Sequence, residues 1–387
     1  MMNADFDTIR PFNNDELPQA FAALLREPAF VALMQRLLPQ LTVEQLEQQL
    51  QTIHSASELQ QRIIEPVLTG LEKQQTAGGV TVSGLEADRP NGILVTNHRD
   101  IVMDAAFIAL SLFRGGFDSP EIGIGDNLFA APWIETLVRI NKCFVVRRGL
   151  APREMPRVFL LLSQYIRYAI TQKQVSVWIA QREGRAKDSN DRTQESLVKM
   201  LALGGGRNMI ESLKEINLMP VSISYEYDPN DYLKAKEFLL KSKNPNFKKS
   251  QRDDLFSMET GLLQHKGRVH FKFAGCINDQ LDAIPTDIDK NELVRTICHI
   301  IDRAIHLNYR IYPCNYISYD MVTGSNGFSD KYTESQKAEF LDYVEKQIKK
   351  VDIPVEDSDI EYMRHMILTM YSNPLTNQLK AIEEIQS

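Results

Sequence analysis

The chain has 387 residues, enough to bury a full core in one large domain with additions or in two to three smaller ones. Apolar residues make up 43% and charged residues 25%, with no low-complexity tract and no solenoid repeat, which excludes fibrous, disordered and repeat architectures. A formal net charge of -7 argues against a general nucleic-acid binder, although local basic stretches can still meet phosphate or an anionic lipid surface.

The start, Met1 to Asn14, is acidic and polar without a secretory pattern, and a cytoplasmic protein is expected. Leu17 to Lys73 carries apolar residues at three- and four-residue spacing, with capping boxes at Thr42…Gln45 and Ser55…Glu58, which predicts helices. Gly78-Gly79 breaks that pattern. Short β-rich runs follow at Val80 to Leu85, Ile93 to Thr96, Cys143 to Val146, Val175 to Ile179 and Met219 to Ser224, separated by helical segments, and Val269 to Phe273 adds a further strand. Alternating strands and helices imply an α/β core.

Leu233 to Arg252 carries Lys234, Lys236, Lys241, Lys243, Lys248, Lys249 and Arg252 around Phe238 and Phe247. It reads as a solvated lysine-rich helix and loop, or as a patch meeting lipid headgroups or the acidic face of a carrier protein. From Asp289 the chain is again helical, with Leu293, Ile297, Ile300, Ile301 and Ile305 on one stripe and a capping box at Thr333…Gln336. The expected organisation is a helical N-terminal region over 1–78, an α/β domain over 79–285 and a helical C-terminal region over 286–387.

Cys143, Cys276, Cys298 and Cys314 lack CxxC spacing and read as reduced core thiols. The stretches Val158 to Ile170 and Ile101 to Phe113 are too short and too interrupted to span a bilayer, so any membrane contact is expected to be peripheral.

Four segments carry the chemistry. Asn97-His98-Arg99-Asp100-Ile101-Val102-Met103-Asp104 places an imidazole and two carboxylates directly after an apolar strand. A histidine oriented by a carboxylate can take a proton from an alcohol, which points to acyl transfer or related hydroxyl chemistry. The second segment ends a β-run in Arg147-Arg148-Gly149, the third ends one in Gln181-Arg182-Glu183-Gly184-Arg185, and the fourth is Leu218-Met219-Pro220 to Tyr225-Glu226. In α/β sheets ligands bind outside the carboxyl ends of strands, where such polar turns lie.

These four blocks in this order resemble those of the glycerolipid acyltransferase superfamily, over about residues 80 to 280. The resemblance implies a mixed sheet flanked by helices, and transfer of a fatty acyl group from acyl-CoA or acyl carrier protein to a glycerol-3-phosphate or lysophosphatidate hydroxyl. Arg99, the paired arginines and the closing Tyr-Glu look more like the glycerol-3-phosphate branch than the lysophosphatidate branch. His98 is implied as the base, oriented by Asp104 or by Asp100, with Asp104 favoured and Asp100 available to cap the following helix. Five residues separate His98 from Asp104, where the family pattern has four. Arg147, Arg148 and Arg185 are implied as phosphate ligands, with Glu183 ordering them or a substrate hydroxyl and Gly184 admitting the ligand to the backbone. Surface ion pairing is the plainer reading, above all for Arg147.

An apolar groove for the acyl chain is expected from Phe107, Ile108, Leu110, Leu112 and Phe113 or from Trp133, Ile134 and Leu137, while Trp178 reads as core. Asp188, Asn190 and Asp191 lack the glycine and terminal glutamate of a calcium loop, and thioester acyl transfer needs neither metal nor cofactor beyond the acyl-CoA or acyl carrier co-substrate. The expected location is the cytoplasmic face of the cell membrane, held peripherally. Alternatives are an acyltransferase for another lyso-lipid, such as an amino-acid lipid, and a non-catalytic lipid binder of the same fold.

Overall fold

The structure is a computed structural model that describes residues 4–86 and 89–386. Helices α1 (Leu17–Leu25), α2 (Pro28–Leu37), α3 (Val43–Gln51), α4 (Ala56–Leu59) and α5 (Glu65–Gln75) open the chain. Pro28 sits in the first turn of α2, where a missing N–H costs nothing, whereas Pro66 lies inside the unbroken helical run from Ala56 to Gln75 and removes a backbone donor there. Thr42 forms the expected reciprocal box with Gln45. Ser55 accepts from Glu58 N, but the Glu58 carboxylate reaches back to His54 N instead of Ser55. Between α4 and α5 the segment Gln60–Ile64 is a π-helical turn.

Seven strands follow: β1 (Thr76–Ser83), β2 (Ile93–Thr96), β3 (Glu121–Gly125), β4 (Cys143–Val146), β5 (Val177–Ala180), β6 (Leu218–Tyr225) and β7 (Gly267–Phe273). They make one mixed sheet in the order β1-β7-β6-β2-β5-β3-β4. β6, β2, β5, β3 and β4 are parallel, β7 is antiparallel to β6, and β1 is parallel to β7. The sequence reading is corrected at two strands. β1 begins before the glycine pair, which it absorbs as an irregularity in its register, with Gly78 and Gly79 at φ 89 and 85. β3 was not expected at all.

Helices α6 (Met103–Arg114), α7 (Pro132–Ile140), α8 (Met155–Thr171), α9 (Glu195–Ala202), α10 (Met209–Lys214), α11 (Asp231–Lys243), α12 (Gln251–Leu263) and α13 (Asn278–Asp282) connect and cover the strands. α14 (Lys290–Leu307), α15 (Pro313–Thr323), α16 (Glu334–Ile348) and α17 (Asp357–Gln386) complete the chain. Strand alternation builds a core on each face. Ile93, Val95, Val177 and Ile179 face α8, α9 and α14, while Leu94, Trp178, Met219 and Val221 face α6. The Ile297 to Ile305 stripe of α14 therefore packs on the sheet, whereas α11, α15, α16 and α17 share a separate apolar cluster. The N-terminal helices bury Leu17, Phe21, Leu24 and Leu46 among themselves and against Ile140 of α7.

The lysine-rich segment is largely paired rather than a free patch. Lys234 is buried against Asp228, Lys236 meets Asp352 at 2.5 Å, Lys241 meets Glu237 at 2.8 Å and Lys243 meets Asp359 at 2.5 Å. All four cysteines are free, and all but the half-buried Cys276 are buried.

His270 of β7 is held between Thr81 Oγ1 at 2.8 Å and Ser83 Oγ at 2.9 Å across the β1 boundary. Burial, then Arg310 and Lys272, push its pKa down to about 4. An unfolded imidazole titrates near 6.5, so the unfolded chain takes up the proton first. The associated stability is complete above pH ~6.5 and is lost as pH falls towards 4. Across that window the wild type should lose stability relative to His270→Gln, read as the difference between their thermal-melt midpoints at each pH.

Candidate active site

The parallel run of the sheet places the ends of β2, β3, β4 and β5 on one edge, and the polar turns converge there. After β2 the chain turns through Asn97, whose buried amide is tied to both N and O of Ile223 at 2.8 and 2.9 Å. That turn presents His98. Its Nδ1 lies 2.8 Å from Asp104 Oδ2, and the same oxygen accepts from Arg99 N at 2.6 Å and Asp100 N at 3.1 Å. An oxygen already accepting two amides holds the imidazole proton on Nδ1 and leaves Nε2 as the free acceptor.

Asp100 does the other job. Its Oδ1 accepts from Val102 N at 2.9 Å and Met103 N at 2.8 Å, capping the first turn of α6. Burial pushes its pKa up, against the pull of Lys266 and together with the neighbouring Asp104. Lys266 is itself fully buried and donates to Gln75 Oε1 at 2.7 Å and Gly261 O at 2.5 Å. The buried phenol of Tyr225 is driven well above 10 by burial and then by Asp104 and Asp100. The imidazole also packs edge-on to Trp178, with ring centroids 6.0 Å apart.

His98 opens onto a cavity of about 920 Å³. Arg148, Glu183, Gly184 and Arg185 line it, as do Arg182 and Lys187. Arg148 is oriented by its backbone N–H on Asp126 Oδ1 at 2.9 Å, and its Nη1 lies 3.3 Å from Glu183 Oε2. Glu183 is mostly exposed and therefore a loose tether for Arg148. Lys187 is neutralised by Glu237. Among the described residues Arg182 and Arg185 have no carboxylate within ion-pair distance. Gly184 adopts φ 67, and no atom stands where its Cβ would be, so left-handed backbone is what demands glycine there.

Arg147 does not join this group. It points to the opposite side of its strand, reaching Thr8 O at 3.2 Å and Asp126 Oδ2 at 3.5 Å, outside the cavity. Arg99 also turns away from the cavity. It is buried, lies 2.7 Å from Asp191 Oδ2 and stands over the Tyr309 ring at 5.6 Å. Tyr309 in turn donates to Asp191 Oδ2 at 2.7 Å, so Asp191 belongs to an ion pair rather than a metal loop. Glu226, at the end of the fourth block, pairs with Arg268 at 2.7 Å. Arg182 escaped the sequence reading because it precedes the more recognisable Glu-Gly-x-Arg pattern; its adjacency to a strand end was the available signal.

The body of the cavity is apolar. Leu110 and Phe113 of α6, Trp133, Ile134 and Leu137 of α7, and Leu68 and Leu71 of α5 line it. Phe107, Ile108 and Leu112, expected as alternatives, are instead fully buried in the core. Ala105, Ala106 and Ala109 leave the open stripe along α6. Trp178 serves both core and cavity wall.

Residues 74–224 match the family model described as Acyltransferase. No curated protein matches the chain. Among solved structures it is similar to the 1-acyl-sn-glycerophosphate (LPA) acyltransferase PlsC from Thermotoga maritima. The identity is 15% and the TM-score 0.33, over 64% of this chain and 81% of that one.

The Arg99–Asp191 pair is a stability element beneath the histidine turn. Arg99→Ala leaves a buried carboxylate without its cation and should cost about 3–5 kcal/mol in denaturant unfolding. Adding Asp191→Asn to that variant should recover part of the loss.

Proposed function

We propose that this chain, whose residues 74–224 match the Acyltransferase family model, is a glycerolipid-type acyltransferase that moves a fatty acyl group from acyl-CoA or acyl carrier protein to a glycerophosphate-type hydroxyl. One observation carries this reading: the free nitrogen of an aspartate-bound histidine opens onto a single cavity with an arginine-rich mouth and an apolar body. A phosphomonoester suits the mouth, because Arg148, Arg182 and Arg185 supply forked, permanently charged donors. The acyl chain suits the body.

In this scheme His98 Nε2 takes the proton of the acceptor hydroxyl as its oxygen attacks the thioester carbonyl. The C–O bond forms, the C–S bond breaks, and the imidazolium returns its proton to the departing thiolate. Asp104 fixes the tautomer and stabilises the imidazolium between these steps. No residue needs to carry the acyl group covalently.

A position at a membrane surface is part of the proposal. No helix among the described residues is long and apolar enough to cross a membrane. Phe113, Leu255 and Leu263 line the cavity and remain more than a third exposed, and Phe256 beside them is half exposed. This apolar rim would let an acylated substrate or product pass between bilayer and cavity without crossing water.

Thioester consumption with glycerol-3-phosphate and lysophosphatidate as parallel acceptors tests the reading. His98→Ala, at matched folding, should lower turnover by roughly 10²–10⁴-fold. Arg182→Ala or Arg185→Ala should raise the acceptor KM about tenfold or more, the loss expected for a charged hydrogen bond. Arginine variants with unchanged KM would mean a lyso-lipid acceptor without the phosphomonoester. No turnover with either acceptor, on CoA and carrier-protein donors alike, would overturn the glycerophosphate assignment.

A further inference from the structure

The turn that opens α11 is acidic in sequence, Asp228-Pro229-Asn230-Asp231, and it approaches the cationic mouth of the cavity at Arg185. Both of its carboxylates are already engaged. Asp228 Oδ2 accepts from the buried Lys234 ammonium, and its Oδ1 accepts from Asn230 N at 2.9 Å. Asp231 Oδ2 accepts from the Tyr343 and Tyr371 hydroxyls at 2.7 and 2.9 Å, and its Oδ1 from Tyr232 N at 2.6 Å. Burial opposes the charge on Asp228, but Lys234 and then Arg185 outweigh it and hold this carboxyl below its usual range.

What the turn offers to Arg185 is the neutral residue between the two aspartates. Asn230 is fully buried. The carbonyl of Ser257 on α12 can only accept, so the Asn230 amide turns Nδ2 towards it and donates at 3.1 Å, which leaves Oδ1 to accept from Arg185 Nη1 at 3.3 Å. Among the described residues the Arg185 side chain makes no other hydrogen bond. A guanidinium carries five N–H donors, of which Asn230 takes one. With Asp228 held by Lys234, the remaining donors and the charge of Arg185 are left for a ligand. A carboxylate in place of the amide would grip the guanidinium harder and neutralise it.

We propose that Asn230 is a positioning residue for the acceptor, holding Arg185 at the cavity mouth while leaving its charge for the substrate phosphate. The inference rests on the glycerophosphate reading and adds a residue outside the matched segment 74–224. Asn230 does not line the cavity, so it acts through Arg185. Its bond to Ser257 also ties that arginine to α12, whose Leu255, Met258 and Leu262 wall the cavity. Removing the Asn230 amide frees the guanidinium to leave the productive position, whereas replacing it by a carboxylate makes an internal ion pair that competes with the phosphate.

Steady-state kinetics test this, with whichever of glycerol-3-phosphate and lysophosphatidate the wild type accepts and with folding checked by thermal melts. Asn230→Asp, which keeps the shape and adds a charge, should raise the acceptor KM about tenfold or more, while kcat and the donor KM move far less. Asn230→Ala should raise it by a smaller factor, and it carries the test if the buried aspartate destabilises the fold. In an Arg185→Ala background neither substitution should add a further penalty, because the partner is gone. A penalty that persists in that background, or a wild-type acceptor KM in the folded Asn230 variants, overturns the positioning role while leaving acyl transfer intact. An unchanged acceptor KM in Arg185→Ala alone, or a wild type that turns over neither acceptor, overturns the phosphate reading and this assignment with it.

Discussion

One carboxylate oxygen organises the edge of the sheet where the polar turns gather. Asp104 Oδ2 accepts from the His98 ring and from the amides of Arg99 and Asp100, so the turn after β2, the start of α6 and the tautomer of the imidazole are settled by a single buried acceptor. Such convergence is possible because Asp104 is fully buried at the N-terminal end of α6, where unpaired amides and the helix dipole both favour negative charge. The extra residue between His98 and Asp104 is accommodated by Asp100, which takes over capping of the helix and leaves Asp104 to the histidine.

The terminal helical regions are built into this arrangement rather than appended to it. From the N-terminal side, α2 and α5 wall the apolar cavity. From the C-terminal side, Tyr309 holds Asp191, Asp191 holds Arg99, and the Arg99 amide holds Asp104. The sheet alone would leave the cavity open along one flank and the histidine turn unsupported beneath.

Much of the architecture was legible in the residues because it rests on local pattern. β2 and β4 fall where their apolar runs stand, and Thr42 and Thr333 cap helices as their spacing requires. The misses are tertiary. β3 reads Glu-Ile-Gly-Ile-Gly, a poor strand by propensity, and Gly123 is needed because a side chain there would strike the buried ring of Phe144. Lys234 sits in a run of lysines that composition assigns to solvent, yet Asp228 draws it inside. At the site, the four blocks identified the edge of the sheet where the polar turns gather. They could not tell Arg147 from Arg148, although strand alternation sends adjacent residues to opposite faces and only the fold says which face is the cavity. Arg99 carried the opposite lesson: a motif neighbour of the histidine proved to be a buried structural cation.

α17 has a bearing on how the molecule is made. Asn373 of this helix donates to Asp188 O at 2.7 Å, and Tyr371 donates to Asp231 Oδ2 at 2.9 Å while accepting from Asp228 N at 2.9 Å. The loop that carries Arg182 and Arg185 is thus fastened by a segment that lies 185 residues further along the chain. During synthesis, which proceeds at about 5–20 residues per second, the nascent chain can assemble its sheet and its histidine turn well before that loop is secured. That loop therefore matures later than the histidine turn it faces across the cavity.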